Sequence, residues 1–188
     1  MNRDQAIQLL HEYVTNDALI RHMRSVEAAM AHYARRFGQD EHTWRLTGLL
    51  HDFDYERFPN PPDHTREGAK ILRARGLDEE IIAAILSHAH WNSDEYPRNT
   101  PLRKTLFAVD ELCGFIYACA LVRPERLAGM KAKSVRKKMK TTAFAAAVSR
   151  DDITNGAELL GIPLDEHIEE CITAMSSITK ELGLESKS

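Results

Sequence analysis

The chain has 188 residues, which is long enough for one well-packed domain and short for two domains with separate cores. Its content of 43% hydrophobic and 28% charged residues is ordinary for a globular protein and argues against long disordered tracts. The formal charge of -3 gives no overall bias toward nucleic acid or membrane surfaces. We therefore expect one domain over residues 1–188.

The cysteines and the N-terminus indicate the compartment. The 3 cysteines form no CxxC pair and are odd in number, so neither a disulfide framework nor a zinc knuckle is expected. The first residues include Asp4 and lead into an amphipathic segment, and no run approaches the roughly 18 apolar residues of a membrane span. We predict a cytoplasmic protein with no membrane partner.

Helical periodicity runs through most of the chain and strand alternation is almost missing, which predicts an all-α fold. The first helix is expected to start at Asp4 as its N-cap and to end near Asn16, and the second to span Asp17 to Phe37 before Gly38. Further helices are predicted from Asp40 to about His51 and over residues 63–74 (capped by Asp63), 78–88, 102–122, 143–148, 152–160 and 164–182. Residues 58–62 and 89–101 are predicted loops, and residues 131–140 form a basic segment.

The stretch Leu49-Leu50-His51-Asp52 places an imidazole and a carboxylate side by side behind apolar residues, which is typical of a divalent metal site. His22 lies on the core stripe of the second helix, and Asp110 interrupts the apolar stripe of the long helix. Burying an unpaired carboxylate costs several kcal/mol, so Asp110 needs a cation or donors nearby. We predict that these residues share one metal, although a core histidine bonded to backbone is the alternative for His22.

These residues, with Ala108-Val109 before Asp110, resemble the HD-domain metal-dependent phosphohydrolase superfamily. The segments Asp63-His64-x-x-x-Gly68 and Ala84-Ile85-x-x-His88 are similar to its dinuclear branch, which includes hydrolases of bis-nucleoside tetraphosphates. The resemblance covers about residues 17–122 and implies an HD-type helical bundle. The last third carries no such motif, and we expect helices of residues 123–188 to pack on the bundle as a C-terminal extension. The resemblance implies that one divalent ion (Mn, Fe, Co, Ni or Mg) is bound by His22, His51, Asp52 and Asp110. It further implies that Asp52 bridges to a second ion held by His64 and His88.

The implied activity is hydrolysis of a phosphate ester or anhydride in a small molecule, with a nucleotide as the expected substrate. Metal-bound water would attack phosphorus, with Asp52 as the bridging ligand. Asp54 and Glu111 are candidates for the general base or for orienting a ligand, and an ordinary surface acid is the alternative for each. His90 lies about 200° around a helix from His88, so we expect it to face substrate or solvent rather than a metal.

The basic segment offers cations for an anionic substrate. Lys133, Arg136 and Lys137 are candidates for contacting substrate phosphate, with Ser134 as a possible cap of their helix, whereas the alternative is a solvated helix face. Nucleic acid is poorly supported as a partner, because no aromatic residues are interleaved with these cations.

Two other functions stay open at this point. Some HD-fold proteins with a di-iron centre are oxygenases, and a non-catalytic module that binds metal or nucleotide is also compatible with the sequence. The sequence has no Walker loop, nucleophile elbow or Rossmann glycine pattern that would favour a different function over these hypotheses.

Overall fold

The computed structural model describes residues 1–186, and over that range it contains helices and turns but no strand, so the all-α prediction is confirmed. The helices are α1 (Arg3–Tyr13), α2 (Asp17–Phe37), α3 (Glu41–Leu50), α4 (Asp63–Ala74), α5 (Glu79–His88), α6 (Pro101–Leu121), α7 (Ala132–Met139), α8 (Arg150–Leu160) and α9 (Leu164–Ser176). A short 3-10 turn covers His90–Asn92, inside the predicted loop. Residues 187 and 188, the end of the predicted domain, lie outside the described residues.

Two groups of buried apolar side chains hold these helices together. One lies among α1, α3, α4 and α5, and the other lies mainly among α6, α7, α8 and α9. Helix α2 belongs to both, because Met23 packs in the first group and Met30 in the second. His22, beside Met23, therefore lies near the boundary between the two groups.

Two close helix crossings depend on glycine. A Cβ at Gly48 would lie 2.9 Å from the Cα of Glu27, so only glycine lets α3 approach the backbone of α2 this closely. This contact brings His51, which follows α3, against α2. A Cβ at Gly156 would lie 2.6 Å from the Cα of Ala108, so α8 similarly rests directly on α6.

The predicted helix over residues 143–148 is wrong, because these residues form turns. The guanidinium of Arg150 donates to the carbonyl oxygens of Ala145 and Val148, each at 2.6 Å, and also to that of Phe144. Carbonyls that would accept helical hydrogen bonds are thus bound by a side chain instead. Ala145 also has a φ of 45°, outside the helical region.

Other differences concern helix ends. The cap of α1 is Asn2, whose side chain accepts from the amide of Gln5 at 2.9 Å in a capping box, rather than Asp4. The last helix ends at Ser176 instead of 182, where the hydroxyls of Ser176 and Ser177 donate to backbone carbonyls at 2.7 Å and compete with the helix. Neither predicted cap at Ser134 or Asp63 forms: α7 starts after Lys131 and α4 after Pro62, both without a side-chain cap.

Among the described helices, none combines the length and apolar character needed to cross a bilayer.

Candidate metal centre

The structure brings the six predicted metal ligands together. They come from α2 (His22), the end of α3 and the turn after it (His51 and Asp52), the start of α4 (His64), the last residue of α5 (His88) and the middle of α6 (Asp110). Their ligand atoms form two groups that share Asp52.

In the first group, the Nε2 atom of His22 lies 3.1 Å from the Nε2 atom of His51 and 3.1 Å from the Oδ1 atom of Asp110. His51 Nε2 lies 3.4 Å from the same Asp110 oxygen. Asp52 Oδ2 completes the group at 3.8 Å from His22 and 3.5 Å from His51. Neighbouring ligands of an octahedral ion bound at about 2.1 Å lie about 3 Å apart, so these spacings suit one divalent cation.

In the second group, the other oxygen of Asp52 meets two further imidazoles. Its Oδ1 atom lies 3.3 Å from the Nε2 atom of His64 and 3.3 Å from that of His88. Asp52 therefore presents one carboxylate oxygen to each group, an arrangement that suits a carboxylate shared by two ions.

Backbone carbonyls orient two of the imidazoles. The Nδ1 atom of His51 donates to the carbonyl of Gly48 at 2.9 Å, and that of His88 donates to the carbonyl of Ile85 at 2.6 Å. When Nδ1 carries the proton, the lone pair of a neutral imidazole is on Nε2, which here points into the centre. Both the inward lone pairs of these two imidazoles and the distances between the ligand atoms thus suit a divalent metal.

Asp54 lies behind His64 and is buried. Its Oδ1 atom accepts from the Nδ1 atom of His64 at 3.0 Å, and its Oδ2 atom accepts from the amides of Thr65 at 2.8 Å and Gly68 at 2.9 Å. Thr65 has a φ of 67°, the break in α4 that turns His64 toward the centre. Of the two roles left open by the sequence, this geometry favours orienting His64 over acting as a base.

The charges of the centre determine which groups hold protons in the absence of metal. Burial opposes protonation of His51, but the charges of Asp52 and Asp110 outweigh it and raise its pKa to about 9. Burial likewise opposes protonation of His64, and its hydrogen bonds to Asp52 and Asp54 raise its pKa to about 9. Burial acts to raise the pKa of Asp110, yet the charge of His51 holds it well below its usual range. Positive charge stabilises this cluster, and a divalent cation can replace those protons.

Glu111 follows Asp110 and lines the same cavity. Burial and the neighbouring Asp110 charge raise its pKa to about 7. Its Oε2 atom accepts from the amide of Ser149 at 3.1 Å, which ties it to the start of α8. A carboxyl group in this state can hold or release a proton near neutral pH.

A cavity of about 370 Å³ opens onto the centre. Its walls include residues that the sequence analysis missed: Tyr55, Trp91, Phe107, Gly114, Val148 and Asp152. His90 lines the cavity too, with its Nε2 atom 3.0 Å from the Oδ2 atom of Asp152 and its side chain 63% exposed. Val148 and Asp152 belong to the C-terminal third, where no motif signalled a role in the site.

The three basic candidates do not reach this cavity. Arg136 pairs with Asp165 at 3.0 Å, Lys133 is exposed, and Lys137 lines a separate cavity of about 310 Å³ between α6 and α7. Among residues 1–186, no lysine or arginine lines the cavity at the centre. The structure therefore does not bring the predicted phosphate-binding residues together with the predicted metal ligands.

The fold and the site define an all-helical protein with a centre of histidines and aspartates that could hold divalent metal. The family model described as "HD domain" matches residues 19–113, about half of the chain, and the chain belongs to this family. The resemblance to the HD-domain metal-dependent phosphohydrolase superfamily is confirmed, as is the HD-type helical bundle. Membership indicates divalent metal binding and an activity of the metal-dependent hydrolase type.

One named relative covers part of the chain. Over 82 residues the chain is 29% identical to a tRNA (cytidine(56)-2'-O)-methyltransferase from Thermoplasma volcanium. The match includes 44% of this chain and 24% of that protein, so the chain spans about a quarter of the length of this relative. No solved structure gives a significant match.

Proposed function

We propose that this protein is a phosphohydrolase that uses two divalent ions and acts on a small phosphorylated molecule, with a nucleotide as the expected substrate. The observation that carries the proposal is the position of Asp52, whose two carboxylate oxygens face two different sets of imidazoles. His22, His51 and Asp110 would hold one ion with Asp52, and His64 and His88 would hold the other.

The residues of the chain divide the remaining work. Divalent ions in such a centre supply Lewis acidity, which activates water and offsets charge on phosphoryl oxygens. Asp54 keeps the lone pair of His64 directed inward through its bond to Nδ1. Glu111 binds Ser149 through Oε2, and we assign its other oxygen, Oε1, to holding a proton during turnover.

The cavity supports a small substrate. A volume of about 370 Å³ lies near the lower end of the range for small-molecule sites. We include the C-terminal helices in the same functional unit and domain, because Val148 and Asp152 line the cavity.

The proposal is tested by metal content and phosphate release in matched variants. After loading with Mn²⁺ and gel filtration, elemental analysis should give two ions per chain for the wild type, one for His64→Ala and none for Asp52→Ala. His11→Ala, an exposed histidine on α1, is the control and should keep two ions. Equal metal content in Asp52→Ala and the wild type would refute the assignment of ligands.

Activity is measured on a panel of phosphomonoesters, phosphodiesters and pyrophosphates with Mn²⁺, Co²⁺, Ni²⁺, Mg²⁺ and Fe²⁺. Wild type and His11→Ala should release phosphate or cleave the diester, whereas Asp52→Ala should not. Metal-loaded wild type that hydrolyses none of the panel would refute the hydrolase function. Turnover that requires both iron and oxygen would instead favour an oxygenase.

A further inference from the structure

Two large aromatic side chains are exposed at the cavity. The exposed fraction is 42% for Trp91 and 43% for Tyr55, and both residues line the cavity that opens onto the metal centre. Trp44, the other tryptophan, is only 3% exposed and packs in the core. Exposing an aromatic surface to water is unfavourable, so two such rings beside one cavity point to a binding role.

Both rings lie beside the imidazole of His64. The ring of Tyr55 meets the imidazole of His64 edge-on, with 5.0 Å between ring centroids, and the ring of Trp91 meets it with 5.9 Å between centroids. They therefore lie next to the group formed by Asp52, His64 and His88, where an organic group attached to a bound phosphate would extend.

Trp91 is held in place without being buried. The next residue, Asn92, is buried, and its amide nitrogen donates to the hydroxyl of Thr65 at 2.9 Å and to the carbonyl of Leu86 at 3.1 Å. Its amide oxygen accepts from the Nε atom of Arg66 at 3.0 Å. The backbone that carries Trp91 is thus fixed before any ligand binds, which lowers the entropy cost of using its ring as a contact surface.

Tyr55 has a comparable anchor. It follows Asp54, whose carboxylate accepts three hydrogen bonds, and its own amide donates to the carbonyl of Asp52 at 3.0 Å. Two exposed rings, on anchored backbones from different segments of the chain, thus line the cavity beside His64 before any ligand binds.

The charged side chains that line the cavity also favour stacking as the way in which the organic group is bound. Among residues 1–186 the cavity is lined by the carboxylates of Glu111 and Asp152 but by no lysine or arginine. Charged attraction to a substrate anion is therefore limited to the metal centre. For the rest of the substrate, the cavity offers apolar and aromatic contact surface rather than opposite charge.

We propose that Trp91 and Tyr55 are specificity-determining residues on which the planar ring of the substrate, such as a nucleobase, stacks while its phosphate lies at the metal centre. This inference rests on the proposed function for the position of the phosphate. Stacking of a base on an aromatic side chain corresponds to about 5- to 150-fold in affinity.

Calorimetry with two probes tests whether Trp91 and Tyr55 bind the base by stacking. Protein loaded with Zn²⁺ is titrated with adenosine 5'-monophosphate and with ribose 5-phosphate, which share the phosphate and sugar but differ in the base. Wild type should bind the nucleotide about 5- to 150-fold more tightly than ribose 5-phosphate. Trp91→Ala should lose most of this preference, Tyr55→Ala part of it, and Trp91→Phe should retain much of it, with ribose 5-phosphate binding unchanged in all three.

Tryptophan fluorescence locates the ring independently of turnover. The nucleotide, but not ribose 5-phosphate, should quench the emission of the wild type, and the quenching should vanish in Trp91→Phe, where buried Trp44 is the remaining tryptophan. Leu121→Ala removes an apolar side chain that is 48% exposed on another surface and should behave as wild type.

A wild-type preference for the nucleotide that persists in Trp91→Ala would overturn the inference, and so would failure of the nucleotide to bind. The preference for the nucleotide could be lost in Trp91→Ala even if the wild type hydrolyses no phosphate. That result would support stacking on Trp91 while refuting the proposed reaction. The two failures are therefore distinguishable.

Discussion

Gly68→Ala is the sharpest structural test of how the second ligand group is held. Gly68 lies in α4, and a Cβ there would fall 2.7 Å from the Oδ2 atom of Asp54, 2.8 Å from its Cγ atom and 3.1 Å from the Cε1 atom of Phe53. The carboxylate must move, although it is buried and accepts three hydrogen bonds. The bond from Asp54 to the Nδ1 atom of His64 is then lost or lengthened.

The expected magnitudes follow from two opposing effects. Replacing a helical glycine by alanine normally stabilises a protein by about 1 kcal/mol, whereas forcing a methyl group into a packed site costs about 1–3 kcal/mol. We expect metal-free Gly68→Ala to be destabilised by up to about 2 kcal/mol. Losing the partner that orients a metal-binding histidine typically costs about 10- to 100-fold in metal affinity, here for the ion that we propose His64 and His88 hold.

The assay combines urea unfolding in chelator with calorimetric titration of metal. The control is Leu72→Ala, which removes a buried side chain one turn along α4 and should cost about 2–5 kcal/mol without touching Asp54. This variant should still bind both ions with wild-type affinity. Gly68→Ala protein that binds both ions as tightly as wild type and gains about 1 kcal/mol of stability would refute this account.

Three further outcomes are expected. Metal-free protein should lose stability as pH rises from 6.5 toward 9. The pKa of His51 and of His64 is about 9 in the folded protein against 6.5 in the unfolded chain, so the protons that favour folding are lost over this range. Melting curves between these pH values measure the loss, and a melting temperature that does not change with pH would contradict the prediction. The rise in melting temperature on adding Zn²⁺ should grow over the same window, since the ion displaces those protons, and a constant rise would show that other groups bind it. Tyr33→Phe should cost about 1–3 kcal/mol in urea unfolding, because it removes the buried bond of 2.6 Å to the Nδ1 atom of His167, and wild-type stability would mean that this bond contributes nothing.

The sequence predicted the parts of this molecule that depend on local spacing. Helical periodicity located α2, α3, α5 and α6 to within one or two residues. The residues predicted to form the two ligand groups were proposed from the resemblance of short motifs, each made of a few adjacent residues. Each such feature depends on a few adjacent residues, which a sequence displays directly.

Features that depend on particular side-chain contacts rather than on periodicity were missed. The turns at 143–148 form because Arg150 binds their carbonyls, and no periodicity signals such a bond. Asp152 reaches the cavity because Gly156 lets α8 lie on α6. The exposure of Trp91 follows from the buried bonds of Asn92 to Thr65 and Leu86, the first of which joins residues 27 positions apart in the chain.

The contribution of α8 to the cavity has a consequence for how this scaffold can change. The predicted metal ligands all come from residues 22–110, whereas Val148 and Asp152 come from a stretch whose turns are tied by the single side chain of Arg150. Insertions or deletions between residues 141 and 149 can therefore reshape the entrance while the helices that carry the predicted ligands keep their geometry. Grafting alternative segments there would diversify ligand preference around one unaltered cluster of histidines and aspartates.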